Sequence, residues 1–366
     1  MRILTASSLA VLLVSPLVSP PAVPPATPPP FLLMWGTSGS GAGEFVGNKP
    51  RPLDVDRNGN VYVVDKVSSP TSMDRVQVFD STGRFLRQFF AAHPDGRAEG
   101  LTVDNQGNVL LVNELCERVE KYDNAGNLLR MWGWGVYNGT PVHQVCAISC
   151  QCGIQGAGDG QLHSARGVDT DANGNVYVAD RSNERVVKYN LQGTFLRAWG
   201  WGVRNGATEF QVCTLGCEAG IAGNGNGQFS RPTDIAVLGD TVYVVDWYNS
   251  RVQLFSRDGS YQGWFHVGGY PAGMDVAPGG DFYVSRFFDH SVTQFDSSGT
   301  QVAKWGTNGS GIGEFDNPWG VAVTADGHVF VADSNNHRVQ KFGDPSYRTF
   351  KAELLKRKVP LLAFPR

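Results

Sequence analysis

The sequence predicts an all-β protein built from six small antiparallel sheets set in a ring. Three observations carry this. A phrase of alternating apolar residues recurs six times; Asn-Gly or Asp-Gly turns precede its clearest copies; and residues 31–45 near the start repeat residues 302–315 near the end. Self-similarity at this scale means stacked supersecondary units rather than one irregular core.

The clearest copies of the phrase lie at 58–65, 173–180 and 326–333, each an Asn-Gly or Asp-Gly turn followed by Val-Tyr-Val or Val-Phe-Val and an Asp. Weaker copies centre on 109–113, 242–246 and 282–285. In each unit a short apolar stretch such as Gly167-Val168-Asp169-Thr170 comes first, then the turn and the alternating run. A polar loop follows, then Arg185-Val186-Val187-Lys188-Tyr189, a second Gly turn, and a strand ending in Trp199-Gly200. Period-two alternation bounded by Gly, Asn and Asp turns is the signature of strands joined by hairpins. Each unit therefore reads as a four-stranded antiparallel sheet.

The residues closing the second strand are spaced 48, 67, 66, 39 and 48 apart, from Asp65 through Asn113, Asp180, Asp246 and Ser285 to Asp333. Roughly 40–50 residues is the size of one propeller blade. A lone small sheet cannot bury both faces, so such blades pack around a ring. The sixth unit ends at its third strand, Arg338-Val339-Gln340-Lys341-Phe342. Its missing fourth strand is supplied by Phe31-Leu32-Leu33-Met34-Trp35, which removes an exposed edge. The prediction is a six-bladed β-propeller closed by the N-terminal strand.

The pattern of turn glycine, Val-Tyr-Val-Ala-Asp and then Asn-x-Arg-Val resembles the NHL-repeat family of six-bladed propellers over residues 31–344. Propellers host unrelated activities, so the resemblance speaks to fold more than to function. Blade five departs from the pattern, with Ser285 in place of the acid and Ser291 in place of the arginine found at 75, 118, 185, 251 and 338. A residue needed by nearly every blade reads as structural.

At 366 residues with a net charge of -3, bulk electrostatics gives no push towards nucleic acid or anionic lipid. Residues 1–22 read as a signal peptide, with Arg2 ahead of an apolar stretch that Pro16 makes too short to span a bilayer. Residues 23–30 read as a Pro-rich linker, 31–344 as the propeller and 345–366 as a basic, solvated tail. The expectation is a secreted or surface-held monomer.

The two long intervals carry a duplicated insertion. Gln144-Val145-Cys146 matches Gln211-Val212-Cys213, and Cys150 matches Cys217, so each loop keeps its own Cys-x3-Cys pair. In an exported chain such pairs read as disulfides, Cys146–Cys150 and Cys213–Cys217. Cys116 and Cys152 remain; they fall in loops on one side of blade two, which suits a third bridge. The rival is a zinc site of His143, Cys146, Cys150 and Cys152. The second loop has Phe210 and Ala219 where the first has His143 and Cys152, and only the Cys pair survives duplication.

Residues entering strand one face the channel in propellers of the family it resembles. Aligning the turn glycines puts Arg51, Glu99, Arg166, Thr233, Ala272 and Trp319 at that position, blade by blade. Two arginines suit a carboxylate or phosphate, Trp319 suits stacking, and Glu99 suits an arginine partner. The plain alternative is a solvated, charge-balanced channel mouth.

The resemblance also implies alternatives: lyases or hydrolases with axial His or a bound cation, RING-bearing ubiquitin ligases, and RNA binders with a basic face. None of the seven His is axial, no RING is present, and no nucleophile or phosphate-loop motif is found. The reading is an exported binding module for a protein, a glycan or a small anionic ligand, with no catalytic residues and no resident cofactor expected; a secreted lyase or hydrolase is the runner-up.

Overall fold

A computed structural model of the chain describes residues 27–45, 50–67, 73–92 and 96–343. The expected signal peptide and tail lie outside the described residues, as does His93. Six antiparallel sheets form six blades. Blade one comprises Leu53–Val55, Val61–Val67, Met73–Phe79 and Phe85–Phe90. Blade three begins with Val168–Thr170, Val176–Asp180, Arg185–Tyr189 and Phe195–Trp201. The first strand of each blade touches the first strands of both neighbours, so these six line the axis of a closed ring.

The turns are built as their composition demands. In blade one Asp56 accepts hydrogen bonds from the N–H groups of Asn58 (2.8 Å) and Asn60 (2.9 Å), and Gly59 adopts φ +80°. At the axis, Gly100, Gly167, Gly273 and Gly320 each follow a channel residue. A Cβ on Gly320 would lie 2.4 Å from the Arg51 carbonyl oxygen of the next blade, and one on Gly167 would lie 2.5 Å from the Asp234 Cα. Only glycine permits that approach.

The apolar residues form one cluster per blade junction. Val112, Trp132, Val178 and Tyr189 fill the space between blades two and three, and Phe45, Phe79, Phe330 and Val339 that between six and one. Burying each such side chain is worth on the order of 1.5–3 kcal/mol, so the ring is held by its junctions. Within blades, Asp180 and Arg185 are directly opposed, and Nε lies 2.9 Å from Oδ2 with both side chains fully buried. Arg185 also donates to the carbonyls of Ala157, Gly158, Gln161 and Glu218. The same ion pair recurs at Arg75–Asp65, Arg251–Asp246 and Arg338–Asp333.

The ring closes where the sequence says it should. Phe31–Trp35 runs antiparallel to Arg338–Phe342, with Phe31 opposite Phe342 and Trp35 opposite Val339. Blades two and three differ from the expected four strands by having five. His143–Cys146 adds to Leu128–Trp134, and Phe210–Cys213 adds to Phe195–Trp201. Each insertion turns back along its blade because its alternating Gln-Val-Cys stretch has a face to bury; Cys146 packs on Met131 and Val136. Outer edges that would stand bare are thereby paired.

All six cysteines are bridged: Cys116–Cys152, Cys146–Cys150 and Cys213–Cys217. Asp159 approaches Cys213 and Cys217, but its carboxylate accepts hydrogen bonds from the N–H groups of Gly216 (3.0 Å) and Cys217 (2.8 Å), and the sulfurs are bonded to one another. Among the described residues no helix is long and apolar enough to cross a membrane.

Candidate functional site at the channel mouth

The residues entering the first strands converge on one mouth of the channel. Arg51 Nη1 lies 2.5 Å from Glu99 Oε1, and Arg97 Nε lies 2.9 Å from the same oxygen. Arg97 also pairs with Glu114, and Arg166 Nη2 lies 3.4 Å from Glu114 Oε1. The Arg51 and Arg166 guanidinium carbons sit 4.8 and 5.4 Å from the Trp319 ring centroid. Trp319 comes from blade six and Arg166 from blade three, so the indole reaches across the mouth and is only 8% exposed.

Of the aligned residues, Arg51, Glu99, Arg166 and Trp319 are brought into mutual contact. Thr233 is buried, with its hydroxyl 3.5 Å from the Pro271 carbonyl, and Ala272 is buried beside it. Both line a 60 Å³ cavity that runs down the axis below Trp319.

A second set was not singled out by the alignment. The residue following the one that closes strand two is Glu114 in blade two, Arg181 in blade three, Trp247 in blade four and Arg286 in blade five. The repeat phrase contains this signal, since these residues also occupy equivalent positions. Arg181 opens a short 3-10 turn, Arg181–Asn183, and its Nε is buried without a partner. Among the described residues no ion pair engages it. Burial, then repulsion from Arg166 and Arg231, pushes its pKa down to about 10. Arg166 Nε and Glu99 Oε2 are likewise buried without a partner.

Chemically the mouth is mixed. Blades one to three present four guanidinium groups (Arg51, Arg97, Arg166, Arg181) against two carboxylates, Glu99 and Glu114. Blades four to six present rings together with two more guanidinium groups, Arg231 near Arg181 and Arg286, which stands at the position of Arg181 in blade five with its Nε also buried without a partner. Trp319 contacts Trp247 (5.8 Å between centroids) and Phe287 (5.3 Å). Trp247 meets Tyr270 (6.1 Å), Tyr270 meets Phe288 (5.1 Å), and Phe288 meets Phe287 (4.9 Å). These five rings make a closed circuit, and Tyr270 and Phe288 are exposed.

Deeper in the channel four aspartates tie neighbouring blades. Asp54 accepts from Val103 N–H (2.7 Å), Asp169 from Val237 (2.6 Å), Asp234 from Met274 (2.8 Å) and Asp275 from Val323 (2.7 Å). Burial raises the pKa of Asp54 and Asp234 to about 7 and that of Asp169 to about 6, against 3.8 in water. Glu117 and Glu184, in the loops after strand two, accept from the N–H groups of Ser164 (2.8 Å) and Arg231 (2.6 Å). Burial lifts their pKa to about 8 and about 7.

The histidines on this side make structural contacts. His143 stacks on Tyr189, and its Nε2 lies 2.7 Å from the Gly193 carbonyl. His290 Nδ1 accepts from Asn317 N–H (3.2 Å), and His337 Nδ1 lies 3.0 Å from the Phe45 carbonyl. His290 and His337 thus occupy the clasp position that Glu117 and Glu184 fill in blades two and three.

The fold is a six-bladed β-propeller whose first strands line a central axis. Residues 162–189, 229–255 and 315–342 match the NHL repeat, and they fall on blades three, four and six. Three NHL repeats thus lie on a six-bladed propeller, consistent with the resemblance read from the sequence. The chain is 26% identical over 266 residues to peptidyl-alpha-hydroxyglycine alpha-amidating lyase 1 of Drosophila melanogaster, covering 66% of this chain and 44% of that protein. It is 35% identical over 88 residues to the protein brain tumor of Drosophila melanogaster, covering 23% of this chain and 8% of that protein. The chain thus spans less than half the length of these curated relatives. Among solved structures it is similar to a streptogramin B lyase (TM-score 0.51, 12% identity, covering 80% of this chain and 93% of that one). It is also similar to a chain of the mitotic checkpoint complex (TM-score 0.52, 12% identity, 92% and 99% covered). At that identity the two structures speak to fold alone.

Proposed function

We propose that the protein is an extracellular binding propeller that captures the anionic group of a small ligand at the mouth of its channel. One observation carries the reading: Arg166 and Arg181 hold buried Nε donors without partners beside one another, where burying unpaired cationic donors is costly. A carboxylate or phosphate placed between them accepts from both forks and relieves their repulsion. Three disulfides and the absence of free thiols support a place outside the cytosol.

The similarity to the amidating lyase supports a second reading, an elimination catalysed at the same mouth. The axial positions offer arginine and glutamate side chains for it, Arg51, Arg166 and Glu99.

Calorimetric titration of the purified protein with acetate and with inorganic phosphate tests the first reading. Saturable binding of either anion that Arg166→Gln combined with Arg181→Gln weakens at least tenfold, with the far-ultraviolet spectrum unchanged, supports it. No binding of either anion, or unaltered binding by the double variant, discards it.

A further inference from the structure

The charged half of the mouth explains an anion but leaves the ring circuit of blades four to six unused. We infer that the ligand carries an aromatic group next to its anionic group, so that the anion sits on Arg166 and Arg181 while the ring packs on the aromatic wall. This rests on the anion-binding reading and names the class of ligand within it.

Three features of the geometry support the assignment. The aromatic wall and the guanidinium cluster meet at one residue, Trp319, which touches Arg166 on one side and Trp247 and Phe287 on the other. A ligand that bridges the two halves therefore spans only the width of one indole. The wall is also accessible: Phe288 is 56% exposed and Tyr270 44%, each with two ring neighbours holding it in place. Rings so fixed contribute large contact area with little loss of side-chain freedom on binding. Finally, the five rings all come from blades four to six, where Arg286 stands directly before Phe287, so a molecule with an anionic end and a flat apolar end meets both kinds of group at the mouth.

The axial cavity that Trp319 helps to line, at about 60 Å³, is too small for such a molecule. The ligand is accordingly placed on the mouth, over Trp319, with the axis left to the bridging aspartates. Glycans with neutral hydroxyl groups fit the aromatic wall but bring no charge to the Nε donors of Arg166 and Arg181, which makes them weaker candidates.

Matched pairs of small probes provide the test: acetate against phenylacetate, and inorganic phosphate against phenyl phosphate, titrated calorimetrically into the intact protein. The expected result is at least tenfold tighter binding of the arene-bearing member of one pair. Phe288→Ala, at an exposed ring whose loss leaves the blade core intact, should remove most of that gain while leaving acetate or phosphate binding unchanged. The carboxylate and phosphate pairs together tell which anion the site prefers. If acetate or phosphate binds and the arene adds nothing, or if Phe288→Ala leaves the gain intact, the inference is wrong and the anion-binding reading stands. If no probe in either pair binds, both are wrong.

Discussion

The guanidinium of Arg166 stands 5.4 Å from the indole centroid of Trp319, although the two residues belong to blades on opposite sides of the ring. A second guanidinium, from Arg51, lies 4.8 Å from the same indole. The mouth of the channel is therefore spanned by one side chain held by two cations. Replacing a buried Trp by Ala typically costs about 3–5 kcal/mol, and cation–π contacts add about 0.5–2 kcal/mol each. Trp319→Ala should lower stability by about 3 kcal/mol or more in urea unfolding, and Trp319→Phe, which keeps a ring under both arginines, by much less.

Closure by the N-terminal strand gives a second expectation. Trp35 packs against Phe79 of blade one (5.7 Å) and Phe330 of blade six (6.0 Å), so it bonds the two blades on either side of the seam. Trp35→Ala should cost about 2–3 kcal/mol, a discount from full burial because the residue is partly exposed. Hydrogen exchange should report increased opening of Arg338–Phe342, the strand it pairs with. Exchange that is unaltered there, with loss elsewhere, would mean the seam is not where this strand acts.

The buried carboxylates give stability a defined pH dependence. Asp54 and Asp234 titrate at about 7, Glu184 at about 7 and Glu117 at about 8, all raised by burial. Between their ordinary values near 4 and these raised ones, the folded state holds protons that the unfolded chain releases. Their contribution is complete below about pH 4 and is lost as pH rises to about 8. The urea midpoint should thus be higher at pH 5 than at pH 8. Glu117→Gln, whose amide oxygen still accepts from Ser164, should flatten that slope.

The three disulfides should differ in worth. Cys116–Cys152 closes a span of 36 residues and Cys213–Cys217 a span of 4. Loop-closure entropy assigns about 4 kcal/mol to the first and about 2 kcal/mol to the second. Paired Cys→Ser variants compared by chemical unfolding measure the difference; equal losses would show that native-state effects outweigh the entropic ones.

Much of this architecture was legible because its cause is local and repeated. Turn glycines, alternating Val-Tyr-Val runs and the match of residues 31–45 to 302–315 each report backbone geometry at their own position, and six copies agree. The fifth strands of blades two and three were not legible. Gln144-Val145-Cys146 is too short to distinguish a strand from a loop, and only its contact with Met131 and Val136 shows that it has a face to bury. For the mouth, alignment identified Arg51, Glu99, Arg166 and Trp319 as one set, since equivalent positions on a ring must meet. It did not reveal Arg181, Trp247 or the rings of Tyr270, Phe287 and Phe288. Arg181 and Trp247 occupy a second repeat position, the one after the residue closing strand two, whereas the meeting of the rings depends on how far loops reach over the axis, which no repeat position encodes.

The carboxylate of Asp159 that grips Gly216 and Cys217 comes from the insert of blade two and holds the insert of blade three. The counterpart of Asp159 in the later insert is Asn226; its carbonyl accepts from Trp201 just as that of Asp159 accepts from Trp134. The linkage has a direction, head to tail, and it stops at blade four because that blade has no cysteine-bearing insert to receive it. The two inserts are therefore joined one way only, and Asn226, an amide where Asp159 has a carboxylate, carries the link no further.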